Sequence, residues 1–382
     1  MGNENKDISN NGFKLIMKYR NVIMGISAVW IFVFHAWIPI FNQPTGSVTL
    51  FFHYVEEYLR KIGYCGVDIF LLLSGMGLTY AIKKGSLARF YYRRIRRVFL
   101  PYFAAGLVCW PIKHWTALEF LGNVTGFTFF TKHIHSFGWF VPAIVTLYLV
   151  FPLYYKFFSK VKSKLLFTAL SITLWFLLSI LLCEHMRFDL YGFTNRIPVF
   201  LIGIYFGEIS QSEKDIIFTK KHYLGLFATL AAGLFLAYMY NFRDFEIVLP
   251  GGKAVVPNIL LTISISFLTA KLMEIFDRRT PRFGRFLNAV TGFWGKMSLE
   301  MYCVYICFLV PFFGIYVSFL ADLTFTRLPV NLVIFAISSG LSWVASLLFN
   351  YLWELVELPK NLLLHSGIFR SVALCDQISP LI

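Results

Sequence analysis

The sequence predicts an all-α fold, a polytopic bundle of transmembrane helices, and three observations carry that reading. The 382 residues are 58% hydrophobic and 19% aromatic but only 14% charged, whereas a soluble domain has about 25% charged residues. The mean hydropathy is +0.66, and apolar runs long enough to cross a core of about 30 Å recur along the whole chain. Lys and Arg also alternate from loop to loop, as the positive-inside rule requires. The net charge of +15 is then a matter of orientation in the lipid bilayer, and no nucleic-acid partner is expected.

Taken in order, residues 1–20 read as a polar cytoplasmic tail carrying Lys6, Lys14, Lys18 and Arg20, with no small-residue cleavage site. The first span is expected at 21–40 and contains His35. A polar and aromatic loop follows, then a second span at 63–82 with Asp68 inside it. A basic loop, 83–97, leads to a third span at 98–112 that is interrupted by Pro101 and Pro111. Residues 113–137 are mixed, and a re-entrant or interfacial segment suits them. Further spans are expected at 138–158, 165–182, 196–210, 223–241, 254–273, 295–320 and 330–353. With no internal repeat, 21–358 reads as one membrane domain and 359–382 as a cytoplasmic tail. Over ten spans, 25 of the 35 Lys and Arg fall on the side of the N-terminus and nine on the other, with Lys296 entering the ninth span. Both termini are therefore expected in the cytoplasm.

The six cysteines, at 65, 109, 183, 303, 307 and 375, include no Cys-x-x-Cys pair and sit mostly in apolar runs. No structural disulfide and no metal site are expected. The loose grouping of Glu119, His133 and His135 reads as surface polarity.

The chemistry concentrates around the second span. Asp68 is an acid inside a membrane helix, which is costly without a partner and marks a functional site. Two turns later come Ser74, Gly75, Met76 and Gly77, a patch suited to close helix packing more than to nucleophilic attack. Arg93, Arg94, Arg96 and Arg97 follow. His35 should lie roughly 20 Å from the inner edge and Asp68 roughly 7–8 Å from the outer one, at 1.5 Å per residue. That places them at one level on adjacent helices, where the carboxylate would fix the tautomer of an imidazole base.

The stretch Asp68-Ile-Phe-Leu-Leu-Leu-Ser-Gly75, then Arg93-Arg-Ile-Arg-Arg97 and Pro101-Tyr102, resembles the signature of the integral-membrane acyltransferase-3 family. Met24 to His35, Trp139-Phe-Val-Pro-Ala143 through Phe151-Pro152, Arg196 to Gly203, Gly295 to Tyr302 and Glu357-Leu-Pro359 agree in order along nearly the whole chain. Two positions depart from the family pattern. Met24 stands where an arginine is usual, with Arg20 one turn earlier, and Tyr305 stands where a histidine is frequent.

The resemblance implies a multi-pass protein of the bacterial plasma membrane. It implies transfer of an acyl group, acetyl by default, from acetyl-coenzyme A to a hydroxyl of a surface or exopolysaccharide glycan. Acetyl-coenzyme A is a donor substrate, and no permanently bound cofactor is implied. His35 and Asp68 would be catalytic. Arg93, Arg94, Arg96, Arg97 and Ser74 would meet the donor, since arginine suits phosphates. Arg196, Trp139 and Glu300 would meet the acceptor or donor. For Glu300 an ion pair with Lys296 is the plain alternative, and for the arginines plain topology. A glycolipid transporter or flippase is the competing function, because carriers also hold charges inside spans, and a sensor or scaffold without catalysis is a third. Nothing in the sequence sets an oligomeric state.

Overall fold

The side chain of Asn11 accepts from the backbone N–H of Phe13 and Lys14, at 3.1 and 3.2 Å, and so caps helix α1 (Gly12–Lys18). The computed structural model describes residues 11–41, 46–132, 135–182, 191–212, 216–243, 254–309 and 327–365, without the side chains of residues 191, 308, 309 and 355–365. Among these residues there is no strand, only an isolated bridge from Asn11 to Ile217.

The described part of the expected N-terminal tail is folded. Phe13, Leu15 and Ile16 give α1 an apolar face, which is buried among Phe206, Phe218 and Phe267. At Tyr19 the chain turns through 69° into α2 (Arg20–Ala36).

Residues 47–61, expected as a loop, are helical. They contain no glycine or proline, so nothing breaks helix α3 (Ser47–Lys61). A short 3-10 turn, Ile62–Tyr64, joins it to α4 (Cys65–Ile82). Together they make one 36-residue helical rod, Ser47–Ile82, roughly 54 Å long at 1.5 Å per residue. Glu56 of α3 grips the chain that leaves α2: its carboxylate accepts from Trp37 Nε1 at 2.7 Å, Ile40 N at 2.8 Å and Phe41 N at 2.9 Å.

Next come α5 (Leu87–Arg94), a π-turn at Ile95–Phe99 and α6 (Leu100–Ile112). Helices α7 (Ala117–Val124) and α8 (Phe129–Lys132) follow. Then come α9 (Phe140–Phe158), α10 (Lys164–Ile180), α11 (Tyr191–Thr194) and α12 (Ile197–Ser210). The last are α13 (Lys220–Phe242), α14 (Val255–Arg279), α15 (Pro281–Lys296), α16 (Ser298–Val304) with a π-turn at Tyr305–Leu309, and α17 (Arg327–His365).

Six helices among the described residues have the length and apolarity to cross a membrane, or seven if the bent α1–α2 pair is one span. The other expected spans coincide with shorter apolar helices: α10 has 17 residues, α12 has 14, and Ser298–Cys307 is the described part of the ninth. Helix α15 was not expected. Four of its residues, Arg282, Arg285, Asn288 and Lys296, read as loop or span edge in sequence, yet its glycines form a seam against α2. A Cβ at Gly25 would lie 1.8 Å from Thr291 O, and one at Gly295 1.8 Å from Asn21 O.

Helix α4 is the centre. Leu72, Leu73 and Met76 are fully enclosed, and α12 packs along it backbone to backbone. A Cβ at Gly75 would sit 2.4 Å from Phe200 O, and one at Gly203 2.3 Å from Leu72 O. Small residues permit that approach, as the Ser74–Gly77 patch led one to expect.

Candidate active site

One stripe of α2 lines a cavity of about 370 Å³: Arg20, Met24, Ala28, Phe32 and His35. The spacing of three and four residues puts these side chains on a single helix face. Val67, Phe70 and Ser74 of α4 form the next wall by the same rule, and Phe140, Ile144 and Tyr148 of α9 a third. Met301, Tyr302 and Tyr305 close it from α16 and its π-turn, and Ser338 from α17.

The cavity has two unlike ends. Arg20, Arg94, Arg97 and Lys296 gather at one. His35 stands fifteen residues beyond Arg20 on the same helix, roughly 22 Å away along the axis. Arg20 Nε donates to Leu73 O at 3.4 Å, so a residue of the first tail reaches α4. The Arg94 guanidinium lies over the rings of Phe90 and Tyr148, 5.6 Å from each centroid. Arg97 is held differently: Nη1 donates to Glu300 Oε1 at 2.5 Å, and its other terminal nitrogen to Lys296 O. Glu300 is 2% exposed, so this buried carboxylate aims Arg97 and does not pair with Lys296. Among the described residues Arg20, Arg94 and Lys296 have no acidic partner. Unpaired cations on a cavity wall are a binding place for anions.

The other two arginines of the cluster turn away. Arg93 donates to the carbonyls of Ala81 and Lys84 at 3.2 and 3.4 Å, closing the end of α4. Arg96 lies over Trp353 at 5.4 Å. Ser74 is on the cavity wall, 9% exposed.

His35 is open to the cavity. Its ring packs against Tyr305 at 4.6 Å between centroids and edge-on against Phe34 at 4.5 Å. Thus Tyr305, at the position where a histidine is frequent, is the direct neighbour of the candidate base.

The expected pairing of His35 with Asp68 is not what the structure forms. Gly63 meets Trp30 and Phe34, and Gly66 meets Ser27 and Ile31. Carried along α4, this register puts Asp68 beside Ser27, about 12 Å below the level of His35. Asp68 also follows Val67, and one residue is 100° of helix rotation, so Asp68 faces away from the cavity that Val67 lines. It is fully buried, and its Oδ2 lies 3.6 Å from Arg196 Nε. Arg196 donates to Gly192 O and sits over Trp139 at 5.2 Å. Trp139 lines the cavity and Arg196 does not, so Asp68 and Arg196 back one wall of it.

Glu119 is committed to helix capping: its carboxylate accepts from Thr116 N and Oγ1 at 2.9 and 3.1 Å. Those hydrogen bonds hold its pKa below the usual value. His133 lies outside the described residues. Sequence reasoning missed Tyr148 and Lys296 as lining residues. The four-residue spacing from Phe140 to Tyr148 was the available signal.

A family model described as an acyltransferase domain matches residues 18–349. No curated protein and no solved structure matches the chain.

Proposed function

The chain belongs to the acyltransferase-3 family and is a membrane acyltransferase, and from that premise we propose that it carries an acyl group, acetyl first, from cytoplasmic acyl-coenzyme A to a hydroxyl of a surface glycan. The observation that carries this reading is one cavity in which a cationic end, with Arg20, and an exposed imidazole, His35, share one face of α2. A coenzyme A thioester has the matching polarity, with phosphates at one end and the reactive carbonyl at the other. Arg20, Arg94 and Lys296 would hold the phosphates, and Arg97, aimed by Glu300, would add a fixed guanidinium. The apolar walls of Met24, Ala28 and Phe70 suit the uncharged arm.

His35 would accept the proton of the acceptor hydroxyl as its oxygen attacks the thioester carbonyl. The imidazolium would then return that proton to the departing thiolate, so the base is restored within one turnover. Trp139, backed by Arg196 and Asp68, would present an aromatic face to the acceptor. Asp68 and Arg196 act here as positioning residues.

The test is direct. Purified protein should be stabilised against heat by acetyl-coenzyme A, and membranes containing it should move labelled acetyl to the cell's surface glycan. A protein that neither binds the donor nor changes the acetyl content of the glycan would overturn the assignment.

A further inference from the structure

We propose that Cys109 and Cys307 are a disulfide-forming pair that ties α6 to the π-turn behind Tyr305. Their sulfurs are 3.2 Å apart, although the residues are 198 positions apart in sequence. An S–S bond is about 2.0 Å, so closure needs roughly 1.2 Å of approach. Both side chains are enclosed, at 0% and 2% exposure, in a small cluster with Ala105 and Cys303. In the thiol form Cys307 donates to Ala105 O at 3.4 Å, a carbonyl on the helix that carries Cys109. Cys303, one turn before Cys307, belongs to the same cluster, but the close sulfur–sulfur approach is between Cys109 and Cys307. The pairing is therefore specific among three neighbouring thiols.

Position favours oxidation. Cys109 is three residues from the end of α6 at Ile112, the end that the charge pattern assigns to the outer face. Disulfides persist on that side of a cell membrane. The step balances with an exchange partner: each thiol gives up one proton, the sulfurs join, and two electrons reduce a disulfide-bearing oxidoreductase of the outer compartment to its dithiol. Because the pair is enclosed once the helices have packed, the bond forms as α6 and α16 assemble. Its consequence falls on the cavity. Cys307 follows Tyr305 by two residues, and the Tyr305 ring rests on His35, so the link fixes the surface against which that imidazole lies.

The bond is tested by mass, independently of any transfer activity. Cells are opened in excess maleimide, and the full-length protein is purified without reductant, denatured and cut with trypsin. Peptides 98–113 and 297–327 should appear joined, and should separate on reduction. The joined species should persist in Cys303→Ala and be lost in Cys307→Ala. Maleimide on both Cys109 and Cys307 of the unreduced wild-type protein would overturn the proposal, and so would a link that survives Cys307→Ala through Cys303.

Discussion

At the scale of single residues, the cavity separates groups that the sequence alone could not. His35→Ala should lower acetyl transfer by roughly 10²–10⁴, the range for a lost general base, while donor binding remains. Transfer assays and donor-induced thermal shifts on the same membranes check this, and full transfer by the variant would remove His35 from the chemistry. Arg94→Gln should weaken donor binding by about 1.5–3 kcal/mol, the worth of a hydrogen bond to a charged group. Arg96→Gln, which loses a contact with Trp353, should leave donor affinity unchanged. Unchanged affinity in isothermal titrations of both variants would return the whole cluster to topology. Asp68→Asn leaves Arg196 buried and unpaired, at 11% side-chain exposure. Such breaks cost about 3–5 kcal/mol of stability. Turnover per folded molecule should change mainly through the acceptor's KM, and the double variant Asp68→Asn/Arg196→Gln should be less destabilised than the sum of the singles. A kcat collapse with KM unchanged would put Asp68 back into the proton path.

At the scale of elements, glycine placement decides which helices touch. Gly203→Ala pushes a methyl to 2.3 Å from Leu72 O and should cost about 1–3 kcal/mol through overpacking. Gly225→Ala on α13 meets nothing within 4 Å and should be neutral or gain about 0.5–1 kcal/mol in helix propensity. Detergent unfolding midpoints of both variants compare the two sites, and equal midpoints would deny the seam. The Ser74–Gly77 patch was legible as packing because small residues inside an apolar run have few other uses. The cavity stripe of α2 was legible only in part, since residues 20 and 24 seemed to belong to a tail and a span edge. That Asp68 meets Arg196 and not His35 was not legible at all. Depth counted from assumed membrane edges carries an error of several residues, and only the glycine contacts of α2 with α4 supply the register. Helix α3 was hidden for a different reason: its apolar residues do recur at helical spacing, but its low overall hydrophobicity made it read as a connection between spans.

At the scale of the whole molecule, composition and charge alternation were sufficient for an all-α membrane bundle, because a bilayer leaves few other ways to satisfy the backbone. Span number was less legible, since α10 and α12 are shorter than a full crossing and are recognised by their place among neighbours. The charge pattern still makes a sharp prediction. Single cysteines placed at Lys84 and at Gln211 should be labelled only from the cytoplasmic side, and one at Thr116 only from outside. Any reversal would sink the ten-span arrangement. The long rod Ser47–Ile82 adds a mechanical consequence. Through Glu56 it holds three donors of the segment that follows His35, and Glu56 stands nine residues beyond Cys65, roughly 13 Å at 1.5 Å per residue. A tilt of about 10° at that radius sweeps the held segment through about 2 Å. The rod is thus a lever that grips the chain just past the histidine helix, so that a displacement of α3 carries that segment with it.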